Sequence, residues 1–283
     1  MITSWDELDG YGLSGRLWRK LAEPNGRGFQ PSGNQIIGFF DDFMSFQANT
    51  LDGPYLILEG ANASVEQVNC TGLSATGGLG LVQLTTTGAG SGGANEEAVL
   101  QWGRGLCAPF KLADKDLAFE ARLFISETTA SKWSLGVGLG EVGMGATDCL
   151  FVDTTGALAD KNFCGFVKLY AEETDVDCAY KADGQTYQDG ATKTKLNAVH
   201  TLVDGTFVKV GFRYVACPKQ LEFYVNGVLA IGTGGNATLT ATELDAATFP
   251  DDVFMAPIIG LKDVAGDDSV YVQLDWWACA QAI

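Results

Sequence analysis

Leu221-Glu-Phe-Tyr-Val225, Asn226-Gly227 and Val228-Leu-Ala-Ile231 form one continuous stretch, and its reading decides the fold. Two runs rich in β-branched and aromatic residues flank an Asn-Gly pair, which suits the two positive-φ positions of a type I′ turn. The stretch predicts a β-hairpin. The same chemistry recurs outward from it. Leu117-Ala-Phe-Glu-Ala-Arg-Leu-Phe-Ile125 places apolar residues at the odd positions, the period of a half-buried strand. Phe207–Val215 and Ser269–Trp277 are dominated by β-branched and aromatic residues. Shorter apolar runs at 36–40, 55–58, 79–84, 97–102, 133–139, 149–152 and 163–170 fill out roughly a dozen strands. Gly/Ser/Thr/Asp loops separate them, notably 85–95. With no long helical period after residue 36, the expectation is an all-β antiparallel sandwich over residues 36–283, in one domain.

Residues 1–35 read differently. Arg16, Arg19, Lys20 and Arg27 balance Asp6, Glu7, Asp9 and Glu23, so the arm is neutral and the body carries the whole net charge of −17. Leu13, Leu17 and Leu21 recur every four residues beside Trp18, Ser14 suits an N-cap, and Pro24, Gly26 and Gly28 end the run. This predicts one short amphipathic helix, 14–22, inside an extended arm. Aromatic and apolar residues interleaved with cations are the composition of interface anchors. Trp5, Leu8, Tyr11, Leu13, Arg16, Leu17, Trp18, Arg19 and Lys20 are therefore the candidate partner-binding residues, docking on the chain's own sandwich or on a neighbour.

Composition narrows the partners. Hydrophobic residues make up 46% of the 283 and charged residues 19%, which excludes a disordered chain. No apolar run is long enough to span a bilayer as a helix. Thirty-five acidic against 18 basic residues argue against nucleic acid and against an anionic membrane surface. The N-terminus has no basic n-region or apolar h-region, so a Sec-type leader is not expected. Seven cysteines without a CxxC, and one histidine, give a zinc site little to build on. Free thiols in a reducing cytoplasm are expected, and no metal or cofactor.

Motifs for catalysis are sparse. Gly10-Tyr-Gly-Leu-Ser-Gly15 matches GxGxxG by letter, but a dinucleotide site needs a βαβ context that is missing here. Gly136-Val-Gly-Leu-Gly140 reads as a bulge or close packing within a strand. His200 lies on a strand before a turn, with no GxSxG to accompany it. Glu173, Asp175 and Asp177 alternate on one strand face and could supply the carboxylate pair of a glycosidase. The preferred reading is a solvent-facing acidic edge that discourages aggregation. Asp41-Asp42, Asp251-Asp252 and Asp267-Asp268 lack the spacing of a calcium loop. Trp102, Trp133 and Trp276 are expected in the core.

The strand signatures, taken in order, resemble a known group. Phe39-Phe-Asp-Asp-Phe43 opens the series, and Trp102, Pro109-Phe110 and Asp116-Leu-Ala-Phe-Glu-Ala-Arg-Leu123 follow. Gly136–Glu141, Phe163-Cys-Gly-Phe166, Lys209-Val-Gly-Phe-Arg213, Phe223-Tyr-Val-Asn-Gly227 and Gln273-Leu-Asp-Trp276 complete it. Over residues 39–277 the chain resembles the concanavalin A-like (laminin-G-like) jelly-roll virion proteins of tailed bacteriophages. The resemblance implies a jelly roll and a capsid decoration (cement) protein without catalytic activity. Its partner would be the major capsid protein, its location the capsid surface after synthesis in the host cytoplasm, and its state a homo-oligomer such as a trimer. A glycan-binding module on capsid or tail is the alternative, and a glycoside hydrolase the third reading. Deleting residues 1–35 is expected to leave the sandwich folded and abolish particle association.

Overall fold

A computed structural model describes residues 13–14, 17–18, 36–43, 54–60, 63–68, 80–86, 96–103, 109–126, 133–143, 150–152, 156–170, 174–264 and 270–282. Two antiparallel sheets pack face to face. The first is built from β1 (Ile36–Asp41), β3 (Ala63–Val68), β4 (Leu81–Thr86), β6 (Leu117–Ile125), β11 (Thr206–Val215), β12 (Gln220–Val225), β13 (Val228–Leu229), β16 (Thr238–Thr240) and β18 (Val270–Ala282). Its order is β13-β12-β11-β6-β18-β4-β3, with β1 beside the end of β18 and β16 beside β12.

The second sheet holds β2 (Tyr55–Glu59), β5 (Glu96–Trp102), β7 (Trp133–Glu141), β8 (Phe163–Lys168), β9 (Asp175–Lys181), β10 (His200–Thr201) and β17 (Met255–Asp263). Its order is β10-β9-β8-β7-β17-β5-β2. A small ribbon, β14 (Ile231–Gly232) with β15 (Gly235–Asn236), stands apart.

The core lies between the sheets, where alternation puts the apolar residues. Leu117, Phe119, Ala121, Leu123 and Ile125 all face it, as their odd spacing predicts. Asn226 and Gly227 both take positive φ (49° and 76°), so β12 and β13 are joined by the predicted Asn-Gly hairpin. The β7 glycines exist for close packing. A Cβ at Gly138 would lie 2.2 Å from the Cys164 carbonyl oxygen, and one at Gly136 would lie 2.7 Å from Leu150 Cδ2.

Three expectations are corrected. The described part of the run 149–152, residues 150–152, forms no strand; Phe151 and Leu158 make a single bridge, and Leu150 and Phe151 pack on the far face of the second sheet with Val99, Val167 and Ile258. Trp133 is fully buried in the core, whereas Trp102 is only half-buried and Trp276 faces away from it. The reason for Trp276 is an irregularity in β18 between Leu274 and Trp276. Before it Val270, Val272 and Leu274 face inward; after it Trp277 and Cys279 do.

Candidate functional site

The outer face of the nine-stranded sheet divides into two halves. One half is covered by the arm. The Ser14 carbonyl accepts the N–H groups of Leu17 (3.0 Å) and Trp18 (3.2 Å), the first turn of the predicted helix with Ser14 as its cap. Leu13, Leu17 and Trp18 are buried against Ala118, Tyr224, Trp276, Ala278 and Ala280 of the same chain.

The seat is shaped for this segment. A side chain at Gly211 would meet Leu17 (Cδ1 at 2.5 Å), and one at Gly227 would meet the Ser14 hydroxyl at 2.8 Å. Glu120 Oε2 accepts both the Ser14 N–H and the Trp18 indole N–H, each at 2.9 Å. Burial pushes the Glu120 carboxyl above the usual carboxylate range, against those donors and the charge of Lys209, which pull it down. Of the candidate arm residues, Leu13, Leu17 and Trp18 are thus seated on the chain's own sheet. Trp5, Leu8, Tyr11, Arg16, Arg19 and Lys20 lie outside the described residues, as does most of 14–22. Deleting 1–35 would therefore also strip the cover from Trp276 and Glu120.

The other half is left uncovered by the described residues. Phe207 of β11, Phe124 of β6 and Tyr271 of β18 are half-buried on it. The Phe124 ring lies 5.2 Å from that of Phe207 and 6.5 Å from that of Tyr271, in the second case tilted by only 18°. The Arg122 guanidinium stacks on Phe207 at 4.0 Å and pairs with Asp275. Beside the rings, Gln273 Nε2 donates to Gln83 Oε1 (2.8 Å) and Gln83 Nε2 donates to Thr85 Oγ1 (3.0 Å). Aromatic faces, a guanidinium–carboxylate pair and two aligned amides can bind a ligand with both an apolar face and hydroxyl groups.

The acidic strand is not a solvated edge. Asp177 is buried, because the segment Asp189–Ala198 folds over it. Its carboxylate accepts the N–H groups of Gly190 (2.9 Å) and Ala198 (2.7 Å). Burial raises its pKa to about 6 in spite of these donors. Asp175 accepts the Thr201 hydroxyl at 2.8 Å, and Glu173 lies outside the described residues. With both of its oxygens engaged by backbone, Asp177 ties a loop down. His200 sits on β10 as predicted, and burial lowers its pKa.

Asp41 accepts the Tyr55 hydroxyl and the Phe43 N–H, which commits both of its oxygens. Cys164, Cys178 and Cys279 are buried thiols, held protonated by burial. Cys217 is exposed. The GxGxxG glycines and Asp267-Asp268 lie outside the described residues.

No family model matches the chain, and no curated protein matches it. Solved structures do. The carbohydrate recognition domain of Emp46p superposes with a TM-score of 0.53 at 9% identity, covering 84% of this chain and 94% of that one. That of Emp47p gives 0.52 at 9%, covering 84% and 92%. An endo-β-1,4-glucuronan lyase from the fungus Trichoderma reesei gives 0.50 at 11%, covering 85% and 94%.

The fold is a concanavalin A-like jelly roll. This corrects one expectation. The implied absence of catalytic activity does not hold, because the lyase shows that the same jelly roll carries a catalyst as well as binding domains. Exclusion of an enzyme has no footing in the fold.

Proposed function

We propose that the protein is a carbohydrate-binding jelly roll displayed on a bacteriophage virion. Its glycan would lie on the open half of the nine-stranded sheet's outer face. One observation carries the reading: Phe124, Phe207 and Tyr271 stand half-buried beside the Gln273–Gln83–Thr85 hydrogen-bonded row. A sugar ring offers apolar C–H groups to an aromatic face and hydroxyls to amides, so it meets both halves of this surface. Half-buried aromatic rings with polar groups beside them are the lining of a small-molecule site. The fold shared with two carbohydrate recognition domains supports the reading at the level of architecture.

The test is affinity electrophoresis through gels cast with a panel of neutral and acidic polysaccharides, including host surface glycans. The double variant Phe124→Ala/Tyr271→Ala removes two ring faces. At about 1 kcal/mol per ring face, binding is expected to weaken roughly 30-fold. The melting temperature should change little, since both rings lie on the sheet's outer face and neither belongs to the core between the sheets. Reducing-end analysis of the retained polysaccharide separates holding from cutting. Identical migration of wild type and variant across the whole panel would overturn the carbohydrate reading.

A second reading is favoured by the same surface. Arg122 stacked on Phe207 beside further aromatics is also the composition of a protein hot spot, and the strand signatures resemble capsid-decorating jelly rolls. A capsid role is measured by copies of this chain per purified particle. A ratio near that of the major capsid protein, abolished by the double variant, would favour it. A handful of copies would place the protein on a tail.

A further inference from the structure

The register of five strands aligns one row of side chains on this face. Phe207 pairs with Phe124, Phe124 with Gln273, Gln273 with Gln83, and Gln83 with Glu66. Neighbouring strands are about 4.8 Å apart, so the row extends over roughly 19 Å. A ring in an extended sugar chain advances by nearly the same distance as one strand spacing.

Along the strands the open surface is short. On one side it ends at Lys209, Arg122 and Asp275, beyond which Trp18 and Glu120 fill the seat of the arm. Among the described residues, the longest run of this face lies across the strands. Charge decides its chemistry. Lys209 and Arg122 against Asp275 and Glu66 sum to zero, on a chain of net charge −17. An acidic glycan would be repelled by the body and find no surplus cation among the described residues of this face.

We infer that the face takes an extended, uncharged glycan chain running perpendicular to the strands, from Phe207 to Glu66, with about four rings in contact. This rests on the carbohydrate reading above. The apolar end of the row supplies stacking, and the amide and carboxylate end supplies hydrogen bonds to hydroxyls.

The experiment is calorimetric titration of the full chain with fragments, from a single ring upward, made by partial acid hydrolysis of whichever polysaccharide retards it. Affinity is expected to climb with each added ring up to about four and then level off. It should be insensitive to salt. Glu66→Ala and Gln83→Ala should lower affinity for long fragments several-fold and leave the shortest unaffected, because Glu66 and Gln83 lie at the far end of the row.

Equal affinity for the shortest and longest fragments overturns this inference while the carbohydrate reading stands. So does a steep loss of binding with salt, which would mark an ionic ligand. Equal losses for short and long fragments in both variants overturn it as well. Failure of every polysaccharide to retard the protein removes the reading itself.

Discussion

Asp177→Ala is expected to lower stability by about 2–4 kcal/mol, since one buried and one part-buried N–H lose their acceptor, the first at the full cost of about 1–3 kcal/mol and the second, which water can reach, at less. Those groups belong to Gly190 and Ala198, so the segment between them should also become open to proteolysis. Chemical denaturation and limited proteolysis measure the two effects. Asp177 gives a pH signature too. Its pKa rises from 3.8 to about 6 on folding, so the native state holds its proton more tightly. This contribution is fully present below about pH 4, is lost as pH rises through about 6, and is constant above that. Asp177→Asn cannot titrate, and its stability difference from wild type should therefore change across that window. An unchanged difference would mean that Asp177 is solvated in the folded protein.

Glu120→Ala should release the arm. Hydrogen bonds to a charged group contribute about 1.5–3 kcal/mol each, and Glu120 receives two, from Ser14 and from the Trp18 indole. Tryptic cleavage after Arg16, Arg19 and Lys20 is expected to accelerate at least about tenfold. Glu120→Gln keeps a carbonyl oxygen as acceptor and removes a buried charge, so the arm should stay seated. The sign with pH follows from the raised carboxyl. Wild-type docking strengthens as pH falls through that raised value and weakens as it rises, whereas Glu120→Gln should show no such slope. Equal cleavage of Glu120→Ala and wild type would mean that the two donors contribute nothing to docking.

Strands with a two-residue period were legible, because one apolar face writes itself into the sequence. Leu117–Ile125 and the Asn226-Gly227 hairpin are of this kind. Met255–Asp263 was not. All nine of its residues are buried, so it has no alternation, and Pro257 argues against a central strand. The fold accommodates Pro257 because pairing with β5 begins only at Ile258. Asp177 carried no sign of burial, since the loop that covers it follows it in sequence.

The site was legible in fragments. Leu13, Leu17 and Trp18 stood out as an apolar stripe, but their spacing is silent about which surface they cover. Their seat depends on Gly211, Gly227 and Glu120, each drawn from a different strand or turn. Arg122 and Phe124 read as the solvent side of a strand. Only the register of β11, β6, β18 and β4 brings them into line with Phe207, Gln273 and Gln83, and register is a property of pairs of strands.

The irregularity at Asp275 has a consequence for how this chain can vary. Leu274 lies opposite Leu123 and Trp276 opposite Arg122, so Asp275 is one residue more than β6 can pair, and deleting it would leave Leu274, Trp277 and Cys279 facing the core and Trp276 and Ala278 facing outward. A different side chain there would cost one ion pair with Arg122. Position 275 is thus a place where β18 can lose a residue without exchanging its two faces, whereas a one-residue gap elsewhere in the strand would exchange them, and related sequences should carry their single-residue gaps here.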